Sequence, residues 1–183
     1  MQPSYDHQAL ERMFAGLVEQ AFCVEVGVCD PKLNDYLVAM LVDFTHVDRL
    51  YAIRDARGRQ LNQITEMLAV LEEERGAESQ VHRRRIYRHI GDFALFWAGV
   101  YPEGLSRSRR AVSADWLIDY VDHGKNSYGI AASLFDEDSQ PPSSLLRRLG
   151  EEFEICAHGL GLVRRGWERR GFEGLGEGRD LPY

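Results

Sequence analysis

The chain has 183 residues, 44% of them hydrophobic, enough for one ordinary domain that buries roughly 70% of its unfolded surface. Charged residues make up 28%, which argues against global disorder. The 22 basic and 29 acidic side chains leave a net charge of −7, against sequence-wide basic binding of nucleic acid. Leu (20) and Ala (15) outnumber Val (13), Ile (7) and Thr (2), so helix is favoured over sheet.

A first helix is predicted over residues 4–24, with Leu10, Met13, Phe14, Leu17, Ala21 and Val24 on one stripe. Gly27 ends it. Asp30 is a good N-cap and Pro31 suits the first helical position, so helix two starts there. Its stripe of Leu33, Tyr36, Leu37, Met40, Leu41, Phe44, Val47 and Tyr51 carries it to about residue 51. After the polar loop 55–59, helix three spans about 61–75, with Gly76 as its stop. Helix four covers about 78–100 and faces inward with Ile86, Ile90, Phe93, Trp97 and Val100. Pro102 ends it, and Ser113 caps a fifth helix that runs to about Phe135. Gly124 and Gly129 either interrupt that helix or permit close packing. The acidic loop 136–142 precedes helix six, predicted to run unbroken to about Arg170. The expected fold is all-α: one domain over 1–170, a bundle of about six amphipathic helices, and a glycine-rich tail over 171–183.

The first seven residues, Met1 to His7, carry no basic run followed by an apolar stretch, so no signal peptide is expected. The longest charge-free apolar run, Phe93 to Pro102, is ten residues, and a bilayer needs about 20. Cys23, Cys29 and Cys156 are odd in number and lack C-x-x-C spacing, so free thiols and a cytoplasmic location are expected. Cys23 and Cys29 are nevertheless near enough in sequence to approach each other across a helix end.

No P-loop, dinucleotide fingerprint, H-E-x-x-H or G-x-S-x-G is present. Four carboxylate–histidine pairs lie at helical spacing: Asp43/His46, His89/Asp92, Asp119/His123 and Glu154/His158. They invite comparison with a di-iron bundle, but His46 and His158 fall opposite their helices' apolar stripes. Solvated ion pairs on the helix faces are the expectation for these pairs, with His89 set apart. His89 sits within the apolar face of helix four, with His82 two turns earlier. A buried imidazole needs a partner, which Asp92 or a tyrosine such as Tyr36, Tyr120 or Tyr128 can supply. The expectation is a core histidine that sets helix registry; the alternative is a metal or haem ligand, with His82, His89 and His123 as candidates.

Arg outnumbers Lys 20 to 2, for which the base composition of the gene is the expected reason and an anion site the alternative. Residues 82–110 hold Arg83, Arg84, Arg85, Arg88, Arg107, Arg109 and Arg110 against Asp92 and Glu103, a local +5 that leaves −12 elsewhere. Pairing with the acidic runs 72–74 and 136–138 is the structural reading. Self-association and a phosphate-bearing partner are the functional ones.

The segment Gly91-Asp92-x-x-Leu95-Phe96-x-x-Gly99-x-x-Pro102-Glu103, followed by Tyr120, Gly124 and Tyr128, resembles a pattern of uncharacterised bacterial all-helical proteins. The match covers about 40 residues. It implies a helical domain and assigns no activity, cofactor or site. Gly91 and Gly99, eight apart, suit close helix approach, and Tyr120 and Tyr128 share a face that can meet Asp92. A buried polar network of His89, Asp92, Tyr120 and Tyr128 is therefore expected. The functional expectation is a non-enzymatic binding or assembly module that forms a homo-oligomer, a dimer in the simplest case. A metal- or haem-dependent enzyme centred on His89 and an Arg-mediated polyanion binder are the alternatives. No cofactor and no membrane are expected.

Overall fold

The structure is a computed structural model that describes residues 4–73, 80–102, 115–134 and 140–170. Helix α1 (Ser4–Glu19) passes into a π-helical turn (Gln20–Val26). Gly27 ends that turn at φ +81°, a left-handed conformation that favours glycine, and its N–H donates to the Phe22 carbonyl. Helix α2 (Pro31–Phe44) begins as its sequence dictates. The Asp30 carboxylate accepts from the N–H groups of Lys32 (2.8 Å) and Leu33 (3.4 Å), with Pro31 at the first position.

Helix α2 stops at Phe44, short of the expected residue 51. The Thr45 hydroxyl donates to the Val42 carbonyl (2.6 Å), and His46 is extended. A side chain that competes for the helix's own carbonyls favours such a break. The next turn is a separate short helix, α3 (Val47–Leu50), which buries Leu50. Helices α4 (Ile64–Glu73), α5 (Gln80–Val100) and α6 (Asp115–Ser133) follow. The expected sixth helix is divided at Glu152 into α7 (Ser143–Glu151) and α8 (Phe153–Arg169). Its inward stripe of Leu145, Leu149, Phe153, Cys156, Leu160, Val163 and Trp167 stays buried across the break. The described residues thus form eight α-helices and one π turn rather than six helices, because two predicted helices are each interrupted once. They contain no strand, only an isolated bridge between Arg54 and Gln60. No helix among them is long and apolar enough to cross a membrane. The tail 171–183 and the expected cap Ser113 lie outside the described residues.

Helix α5 is the central element. It packs on α6 and α8, while α1 packs on α2. Glycines permit these approaches. A Cβ on Gly91 would sit 2.7 Å from the Tyr128 ring of α6, and one on Gly99 would sit 2.8 Å from Leu160 of α8. The two glycines therefore receive two different helices. Gly124 of α6 takes the Phe153 ring in the same manner, whereas Gly129 faces open space.

The free-thiol expectation for Cys23 and Cys29 is corrected: the two are joined as a disulfide, and only Cys156, which is buried, is a free cysteine among the described residues. The π turn and the left-handed Gly27 fold the chain back, so that the two Cα atoms lie 4.3 Å apart. Spacing puts the two cysteines within reach of each other across a helix end, and the reversal brings them together.

Candidate functional site

Asp92 projects from the middle of α5 into the contact with α2 and α6 and is only 6% exposed. Its Oδ1 accepts two hydroxyl hydrogen bonds, from Tyr36 of α2 (2.5 Å) and from Tyr128 of α6 (2.8 Å). Tyr128 is wholly buried, and Tyr36 is half-buried. The second oxygen faces Arg88, one turn earlier on α5, with Nε 3.8 Å away. That distance is an ion pair without a hydrogen bond. Burial pushes the Asp92 carboxyl up to about 6, against the opposing pull of the Arg88 charge and the two tyrosine hydrogen bonds. The same burial, together with the Asp92 charge, holds both phenols well above their ordinary range. They therefore act as hydrogen-bond donors, and Asp92 is the group that can take up a proton near neutral pH.

His89 turns away from this cluster. Its Nε2–H donates to the Leu50 carbonyl at the end of α3 (3.1 Å), which places the proton of the neutral ring on Nε2. The ring meets Phe44 edge-on at 5.7 Å and lies 6.4 Å from Phe93. Burial lowers the His89 pKa to about 4, and the Arg88 and Arg85 charges add to that effect. The predicted four-residue network is thus two separate devices. Asp92 and Tyr128 meet as expected, Tyr36 joins them, and His89 braces α5 against α3. Tyr120 is half-buried two turns before Tyr128, and Tyr36 occupies the place at Asp92 expected of it. Tyr36 is legible as an inward residue of α2, but its partner is 56 positions away.

The arginines of the basic cluster take different positions. Arg84 is only 5% exposed, and its guanidinium donates to the carbonyls of Ala131 (2.8 Å) and Pro141 (2.6 Å). It is a structural cation at the C-terminal end of α6 rather than part of an anion-binding surface. Arg85 is exposed and Arg83 half-exposed. Neither makes an ion pair among the described residues. Arg107, Arg109 and Arg110 lie outside the described residues.

Of the predicted carboxylate–histidine pairs, Asp43 is bound by Arg49 and Glu154 by Lys125 (2.6 Å) instead of by histidine. His82 and His123 are half-buried. No group of three or more His, Cys, Asp or Glu side chains able to hold a metal ion occurs among the described residues. An apolar depression lies among Phe14, Phe44, Phe96, Val163 and Trp167, and neither Asp92 nor its tyrosines line it.

Gly91 controls the geometry of the cluster. Gly91→Ala places a methyl group against the Tyr128 ring and is expected to destabilise the protein by about 1–3 kcal/mol, as overpacking does. Urea unfolding checks the loss. A rise in the Asp92 pKa, read by side-chain carboxyl NMR, checks that the Tyr128 hydroxyl has moved away.

Together the fold and the site define a class: an all-helical bundle in which a buried carboxylate is clamped by tyrosines from two neighbouring helices. Comparison with family models, curated proteins and solved structures returned no match to this chain.

Proposed function

We propose that the chain is a non-enzymatic helical binding or assembly module whose partner is a second copy of itself. The observation that carries this reading is the clamp. Both hydroxyl donors, from different helices, converge on a single oxygen of a carboxylate that is 6% exposed. Such an arrangement ties α2, α5 and α6 into one register. A carboxylate serving a substrate needs an oxygen facing an open cleft.

The choice of partner rests on charge. Arg83 and Arg85 project from α5 without ion pairs among the described residues, in a chain whose charge outside 82–110 is −12. Self-association brings this basic surface to the acidic remainder of another copy. Light scattering coupled to size exclusion tests the reading. A dimer is expected at low salt, weakening as salt is raised. R83E/R85E is expected to be monomeric with an unchanged circular dichroism spectrum. A strict monomer at every salt concentration rejects self-association. Bound iron or a Soret band in the purified protein replaces this reading with that of a metal- or haem-dependent enzyme.

A further inference from the structure

We propose that the Cys23–Cys29 disulfide is a thiol–disulfide exchange site that accepts two electrons from a dithiol reductant. The two sulfurs stand in unequal surroundings. Cys29 is exposed, directly before the Asp30 cap of α2. Cys23 is half-buried on the π turn, and its Sγ accepts a hydrogen bond from Asn34 Nδ2 of α2 (3.6 Å). The other end of that amide, Asn34 Oδ1, is buried without a hydrogen-bond partner among the described residues. An amide oxygen left unpaired in this way carries a desolvation cost. The site accepts that cost while the amide N–H is directed at sulfur. The neighbouring Asp30 carboxylate is engaged by the first N–H groups of α2 and by Arg148.

These surroundings assign the roles in exchange. A reductant thiolate attacks the open sulfur, Cys29 Sγ. The Cys23–Cys29 bond breaks as the bond from the reductant to Cys29 forms. Cys23 leaves as a thiolate, held by the Asn34 N–H, and takes a proton from solvent. The reductant's second thiol loses its proton and attacks the reductant sulfur bound to Cys29. Cys29 is released as a thiolate and is protonated in turn. The dithiol ends as a disulfide, and its two electrons and two protons reside on Cys23 and Cys29 as thiols. Exchange depends on which sulfur is attacked and how well the other leaves, and the exposure of Cys29 and the amide on Cys23 address those two requirements. Asn34 is a positioning residue in this scheme.

The test uses the native full-length protein. Dithiothreitol is added without denaturant, thiols are trapped with iodoacetamide, and each cysteine is quantified by mass spectrometry. Labels are expected on Cys23 and Cys29 and not on Cys156, whose thiol is buried and pushed up to about 12. Glutathione is expected to form its mixed disulfide on Cys29 in preference to Cys23. In Asn34→Ala the reduction rate is expected to fall about two- to fivefold, the worth of one weak hydrogen bond, and the preference for Cys29 to narrow. Reduction that requires denaturant overturns the proposal, as does glutathione captured mainly on Cys23. An unchanged rate and site preference in Asn34→Ala overturns the leaving-group assignment.

Discussion

Arg84→Ala is expected to lose about 3–5 kcal/mol of stability, whereas Arg83→Ala and Arg85→Ala, measured on the monomer at high salt, stay within about 0.5 kcal/mol of wild type. The three residues are consecutive and chemically identical, so the difference comes entirely from position. The Arg84 guanidinium closes the Ala131 carbonyl in the last turn of α6 and the Pro141 carbonyl just before α7. Carbonyls in a helix's last turn lack partners within the helix, and a cation there also opposes the helix dipole. Removing the side chain takes the guanidinium donors from the buried Ala131 carbonyl and the half-buried Pro141 carbonyl and opens a void between α5 and α6. Arg84→Lys keeps the charge and reaches only part of this geometry, so an intermediate loss is expected. Urea unfolding followed by circular dichroism ranks the four variants. Equal losses at 83, 84 and 85 would refute the assignment.

Asp92→Asn is expected to be more stable than wild type at pH 7, with the advantage disappearing by pH 4. Burial raises the folded pKa of Asp92 from 3.8 to about 6. The folded state therefore binds more protons than the unfolded state between those values. Stability from this group falls as pH rises through that window and stays lower above it, by about 3 kcal/mol. His89 has the opposite sign. Its folded pKa is lowered from 6.5 to about 4, so the unfolded chain takes up the proton first. Stability from His89 is complete above 6.5 and is lost as pH falls toward 4, again by about 3 kcal/mol.

The two effects overlap and nearly cancel between pH 4 and 6 in the wild type. Asp92→Asn removes one of them and exposes the other, so the variant loses about 3 kcal/mol more than wild type on acidification from pH 7 to 4. His89→Gln, which keeps a donor for the Leu50 carbonyl, is expected to gain stability over the same range. Urea midpoints measured at intervals from pH 4 to 7 decide the matter. Parallel profiles for wild type and Asp92→Asn would show that Asp92 titrates normally.

Much of the helical framework was legible because its causes are local. The start of α2 needs only Asp30, Pro31 and the next N–H groups. The stop at Gly27 needs one residue able to hold a positive φ. The stripe from Leu145 to Trp167 follows from helical periodicity and remains inward even where the helix breaks at Glu152. The break itself was not legible, nor was the end of α2 at Phe44. Both interrupt a continuous apolar pattern, and at Thr45 a side-chain hydrogen bond to the helix's own carbonyl accompanies the stop.

The candidate site was readable in part, and the division has a physical basis. Periodicity puts Tyr128 and Tyr36 on inward faces and Asp92 at the flank of one, and a buried carboxylate requires donors. Which donors it receives depends on where α2 and α6 cross α5, and the glycine at 91 admits the Tyr128 ring there. The same holds for Arg84 among its neighbours and for the sulfurs of Cys23 and Cys29 across a reversed turn. Composition, caps and spacing specify the helices and the sides they bury, because those depend on interactions within a few residues. Partners of buried polar groups depend on helix crossings between distant segments, and a single chain's pattern does not encode those pairings one by one.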